Sequence, residues 1–222
     1  MTDRPARPAR LLAAALVAAP LLTLASELVV PRDNTENPVD ELALIADHSG
    51  AFLAADLMYF AAMVLFAVGI RGVMGLVTGR GRTFVRVAGS MAFLGAVALA
   101  AHAVLLLALR DLALAPDRTA MAAANGVISE GNAAIVVLVL HLFGFDLGLT
   151  LFTVAAWRAR LVPAWAAPLG FLCLAGDFSP GSYNGVLLGL AATAAFSVLA
   201  SGVLRRTGTG SVAAPTPVPA AA

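Results

Sequence analysis

The chain has 222 residues, of which 60% are hydrophobic and only 12% charged, and its formal net charge is +1. A soluble domain carries about 25% charged residues, so the composition excludes an ordinary water-soluble fold and points to a membrane chain. The near-neutral balance, with no aromatic-interleaved basic patch, excludes nucleic acid as a partner.

A run of about 20 apolar residues is enough to cross the hydrocarbon core. Six stretches reach or approach that length, at 10–30, 50–70, 87–109, 133–157, 161–176 and 183–204. The fifth is short and carries Pro163 and Pro168. All six are expected to be helices, because an open strand leaves its amides unpaired in lipid. The expected fold is all-α, a polytopic transmembrane bundle of about six spanning helices forming one domain over 1–206. The Ala/Pro/Thr/Gly-rich tail at 207–222 reads as a disordered cytoplasmic extension. The remaining loops, mainly 31–49 and 110–132, leave no room for a soluble catalytic domain, and no internal repeat suggests the inverted halves of a transporter.

Arginine sets the expected orientation. Arg4, Arg7, Arg10, Arg71, Arg80, Arg82, Arg86, Arg158, Arg160, Arg205 and Arg206 flank the spans on one side. Arg32, Arg110 and Arg118 fall on the other, with Asp33, Glu36, Asp40, Glu41, Asp47, Asp111 and Asp117. The positive-inside rule then places both termini in the cytoplasm of a multi-pass cell-membrane protein. The alternative for span 1 is a cleaved signal peptide, from its arginines, apolar run and Leu24-Ala25-Ser26. Cleavage would leave five spans with the same orientation.

Ionisable residues inside the spans are the functional signal, since a charge at the bilayer centre costs about 3 kcal/mol or more. Span 1 brings Glu27 near its outer end, where it can also simply reach water. Span 2 places His48, Phe52, Asp56, Tyr59 and Met63 at steps of three or four, hence on one face, with Phe60 at its edge. The competing interpretation is a packing seam in which Asp56 bonds a neighbouring helix. Span 3 carries His102 about two turns from its outer end.

Span 4 runs inward from Glu130 and Asn132 and holds His141, Phe143, Phe145 and, near mid-membrane, Asp146. On a regular α-helix His141 and Asp146, five residues apart, stand about 140° from one another and do not share a face. Gly144 and Gly148 form a small-residue seam for close helix approach, and Gly185 and Gly189 give span 6 a matching one. Cys173 reads as a small buried hydrophobe. Asp177, before the 179–182 turn, reads as an interfacial residue unless the short fifth helix draws it inward. By depth, Glu27, Asp56 and Asp177 are expected to converge on one cavity in the outer half, with His102 and His141 nearby.

The stretch from His141-Leu-Phe-Gly-Phe-Asp146 through Arg160-Leu-Val-Pro163 to Leu169-Gly170 and Gly176 resembles a large family of uncharacterised bacterial membrane proteins. There a His-x-x-Gly-Phe helix precedes an Arg-x-x-Pro turn and an apolar Leu-Gly helix. That resemblance implies a fold and no activity. In size, bundle form and intramembrane acids the chain is also similar to the small bacterial integral-membrane terpene cyclases. These protonate a prenyl chain, and the similarity implies an isomerase or lyase of terpenoid biosynthesis.

The residues are compatible with that chemistry. A carboxyl kept neutral by apolar surroundings can hand a proton to an alkene, and aromatic faces can stabilise the cation that follows. Asp56 is the candidate donor. Glu27, Asp146 or Asp177 would be a partner acid or final acceptor, and His141 another base. Phe52, Tyr59, Phe60, Phe143, Phe145 and His102 would line the substrate. The expected partners are a lipophilic prenylated small molecule and the bilayer, with no cofactor. No Asp-Asp-x-x-Asp cluster, Gly-rich phosphate loop, Cys-x-x-Cys or His-Glu-x-x-His occurs, so no metal is assigned and Mg²⁺-assisted diphosphate ionisation is not expected. Rival readings are a non-enzymatic proton-coupled carrier or sensor using the same carboxyls, and a haem protein ligated by His102 and His141.

Overall fold

A computed structural model describes residues 7–31, 37–79, 81–129, 131–178 and 184–208. The 179–182 turn, Glu130 and tail residues 209–222 therefore lie outside the described residues. Among the described residues every regular element is helical: α1 (Arg7–Val29), α2 (Pro38–Asp47), α3 (Ser49–Leu76), α4 (Arg82–Ala113), α5 (Arg118–Ser129), α6 (Asn132–Val139), α7 (Leu147–Arg158), α8 (Ala167–Asp177) and α9 (Asn184–Gly208). A π-helical turn, Leu140–Asp146, joins α6 to α7 into one rod. A short 3₁₀ turn, Ala164–Ala166, leads into α8.

Five rods are long and apolar enough to span a membrane: α1, α3, α4, Asn132–Arg158 and α9. The chain is thus an all-α, multi-pass membrane protein. The sixth apolar helix is shorter than the sequence spacing suggests. Ala164–Asp177 rises about 21 Å, against a hydrocarbon core of about 30 Å.

The rods close into a ring in chain order. α1 packs between α3 and α9, α3 on α4, α4 on the π turn and α7, α7 on α8, and α8 on α9. Phe66, Phe145, Phe152 and Phe196 fill its interior, with Phe66 edge-on to Phe145 at 5.3 Å and to Phe196 at 4.9 Å. Such edge-to-face pairs add about 0.5–1.5 kcal/mol each beyond burial.

Backbone approach at glycine positions sets the helix spacing. Cβ atoms added at Gly144 and Gly148 would strike the backbone of Gly95 and of Ala92 in α4. The Gly144/Gly148 seam therefore faces α4. It does not meet Gly185 and Gly189, which face Glu27 and Leu24 of α1. The two glycine pairs serve different neighbours because α7 and α9 are separated in the ring by α8.

The segments read as loops at 31–49 and 110–132 contain the helices α2 and α5. α2 is capped by the Asn37 side chain, which accepts from the Val39 N–H at 3.0 Å, with Pro38, Asp40 and Glu41 in its first turn. Those residue types suit an N-terminus, where free amides and the helix dipole welcome a side-chain oxygen and negative charge. Asp117 caps α5 in the same way, accepting from Ala120 N–H at 3.0 Å. Leu42, Ile45, Ala113 and Ala122 make a small second core under this cover, and Phe52 packs on it.

Candidate active site

The α2/α5 end of the ring encloses two cavities. The smaller, about 270 Å³, is lined by Thr23, Ser26, Glu27, Asp56, Tyr59, His102, His141, Asp177 and Asn184 among others. The larger, about 560 Å³, lies between α4, α5 and α6 and is walled mainly by leucine, isoleucine, valine and alanine. His102, Leu106 and His141 line both, so the two share a wall.

The helices bring the polar side chains in from different sides. α1 supplies Glu27, whose carboxyl occupies the space left by the missing side chain of Gly185. α3 supplies Asp56, only 7% exposed, and Tyr59 one turn on. Tyr59 lies within electrostatic reach of Glu27, Asp146 and Asp177. α8 supplies Asp177. Packed between α7 and α9, the short α8 ends with Asp177 against the small cavity, its side chain 17% exposed.

The π turn changes the geometry expected of span 4. In a π-helix the hydrogen bonds run from i to i+5, so residues five apart come together. His141 Nε2 accordingly lies 3.6 Å from Asp146 Oδ2 and 3.7 Å from Asp177 Oδ2. The expectation that His141 and Asp146 occupy different faces is corrected: it assumed α-helical periodicity through Leu140–Asp146. Asp146 is 1% exposed, and neither of its carboxylate oxygens has a hydrogen-bond partner among the described residues.

Two threonines hold this arrangement and carried no signal in the sequence. The Thr150 hydroxyl shares its proton between Asp146 O and Gly170 O, both at 2.9 Å. Thr153 donates to Thr150 O at 2.8 Å and reaches Ala167 O at 3.3 Å. They serve a backbone carbonyl of the π turn and tie α7 to α8, which fixes Asp177 relative to Asp146.

The aromatic expectations divide. Tyr59 lines the small cavity. Phe52 belongs to the second core, and Phe145 to the central core, 6.4 Å from the His141 ring. Phe60 and Phe143 are 38% and 60% exposed on the outer surface of the ring and line neither cavity. For Phe60 the reason is angular: four residues after Asp56 it is already past the edge of the inward face. Cys173 is buried, as a small apolar residue would be.

No protein-family model matches the chain, and no curated protein or solved structure is significantly similar to it. The resemblance carried by 141–176 rests on those residues alone.

Proposed function

We propose that the chain is an integral-membrane enzyme that carries out acid–base chemistry on a lipophilic substrate, with acid-initiated cyclisation of a prenyl chain as the reaction. The observation that carries this reading is the shared wall: an apolar chamber of about 560 Å³ abuts an acid-lined one of about 270 Å³. The larger volume is within the roughly 300–1,000 Å³ of small-molecule sites. A hydrocarbon chain held in the first would present its end to the second.

In this reading Asp56 gives its proton to a terminal alkene carbon. The π electrons form the new C–H bond and a tertiary cation. A second alkene of the same chain attacks that cation and closes the ring. Loss of a proton from the cyclised cation to Glu27, which lines the same cavity, regenerates an alkene. One proton enters and one leaves, so the product is an isomer of the substrate. With Phe60 and Phe143 outside, Tyr59 and the carboxylates are the groups left to stabilise the cation. The site opens toward the outer face of the cell membrane, and both termini are cytoplasmic, on the distribution of arginines.

The test is product formation by membranes of an expressing host fed farnesylated and geranylated acceptors. Asp56→Asn keeps size and hydrogen bonding but removes the acidic proton, so turnover falls by orders of magnitude while insertion is unchanged. Asp56→Glu retains part of the activity, because the acid survives in a displaced position. Full turnover in Asp56→Asn would remove Asp56 as donor. A second reading, a proton-coupled carrier or sensor, is favoured by the buried His141, Asp146 and Asp177 cluster. It is separated by the same assay: a carrier moves a proton gradient and leaves no new product in the membrane extract.

A further inference from the structure

Three ligand-type atoms meet at the inner side of the small cavity. His141 Nε2 stands 3.6 Å from Asp146 Oδ2 and 3.7 Å from Asp177 Oδ2, and one donor atom from each residue lies within 4.8 Å of the other two. Ligand atoms around a tetrahedral zinc with bonds of about 2.0–2.1 Å are about 3.3–3.4 Å apart. The cluster thus closes around an ion with side-chain shifts of roughly 1 Å or less for most pairs.

Asp146 calls for a cation on separate grounds. It is 1% exposed, and both of its oxygens lack a hydrogen-bond partner among the described residues. A charge buried without compensation costs several kcal/mol. Among the described residues the only basic side chain paired with Asp146 or Asp177 is His141. One divalent ion balances two carboxylates and a neutral imidazole, leaving no net charge inside the bilayer. Two protons, one shared by the carboxyls and one on His141, give the same balance, and zinc retention separates the two arrangements.

We propose that His141, Asp146 and Asp177 bind one divalent transition-metal ion, with zinc as the best fit, and leave a coordination position open to the small cavity. The imidazole nitrogen argues against magnesium and calcium, which prefer all-oxygen shells. Three protein ligands and a vacant fourth position are the pattern of a catalytic rather than a structural zinc. His141 and Asp177 line the cavity while Asp146 lies behind them, so the fourth position faces the cavity and its Glu27 and Asp56. The π turn is the device that makes the site, since only i to i+5 pairing puts His141 beside Asp146. The metal site stands whether or not the substrate is a prenyl chain.

The test uses the full chain in detergent, purified with a tag that contains no histidine, stripped with chelator, and loaded with Zn²⁺ or Co²⁺. Elemental analysis after desalting is expected to find one equivalent of zinc. Cobalt is expected to give the visible absorption of a low-coordinate nitrogen/oxygen site. Asp146→Asn, His141→Ala and Asp177→Asn each abolish retention, whereas Asp56→Asn keeps it. Asp177 lines the cavity with 17% of its side chain exposed, against 1% for Asp146, so Asp177→Asn, with its helical content checked by circular dichroism, reports on the metal even where Asp146→Asn fails to fold. No zinc retained by the folded wild-type chain overturns the proposal. So does full retention in His141→Ala and Asp177→Asn, which would put the ion elsewhere. A wild-type chain that retains zinc but forms no cyclised product would instead count against the prenyl reading alone.

Discussion

Replacing Gly148 by alanine tests the backbone seam that positions the π turn. A Cβ at Gly148 would lie 2.5 Å from Ala92 N, 2.8 Å from Ala92 Cα and 3.0 Å from Met91 C. All three are backbone atoms of α4, so none can swing away. Restoring ordinary contact, about 3.5 Å between heavy atoms, requires α7 and α4 to separate by about 1 Å. Overpacking of this kind costs about 1–3 kcal/mol, offset in part by the better helix propensity of alanine, roughly 1 kcal/mol. Gly75→Ala is the matched control: it lies in α3 with nothing within 4 Å of its added Cβ, so it takes the propensity gain alone. The difference between the two variants isolates the clash and should appear as a melting-temperature gap of roughly 2–12 °C for a domain of this size. The assay is thermal unfolding in detergent followed by circular dichroism. Equal melting temperatures for Gly148→Ala and Gly75→Ala would refute direct backbone packing of α7 on α4, and with it the account of how the π turn is held.

Thr150→Val removes the hydroxyl shared by Asp146 O and Gly170 O while keeping nearly the same shape. Leaving those buried carbonyls without the donor should cost about 1–3 kcal/mol, read as a lower melting temperature, and lower zinc retention. A variant as stable as wild type would sink the clamp. Arg160 has φ of 57° and closes α7 with bonds from its own N–H to Trp157 O at 2.8 Å and from Leu161 N–H to Ala156 O at 2.9 Å. Arg160→Gly should stabilise by about 1 kcal/mol, because only glycine takes that conformation without a Cβ penalty. No rise in melting temperature would count against it. Reporter fusions after Arg82 and after Arg206 are expected to report the cytoplasm, and one within 34–40 the outside. An opposite result at any site breaks the arginine assignment.

Composition and spacing by themselves determined the membrane class, the all-α bundle and the approximate position of every long rod. Bilayer thickness fixes how long an apolar helix must be, and the unpaired amides of a strand rule out the alternative. The short fifth helix was legible too, from Pro163 and Pro168, and so was the meeting of Glu27, Asp56, Asp177, His102 and His141 at one cavity, because rise per residue converts position into height along a rod. The caps of α2 and α5 were also written in the sequence, at Asn37-Pro38 and at Asp117, though the loops read as irregular. Tertiary structure decided the rest. Height along a helix says nothing about which neighbour a side chain meets. Ring order is needed to learn that Gly144 faces Gly95 while Gly185 makes room for Glu27. Periodicity assumes 3.6 residues per turn throughout, and the seven-residue π turn breaks that assumption where it matters most. Through it Asp146 joins His141, while Phe143 faces outward and Phe145 the central core. Thr150 and Thr153 were silent because a threonine in an apolar helix has no pattern of its own. Their role exists only once α8 is packed against α7, and the carbonyls they serve are defined by that contact.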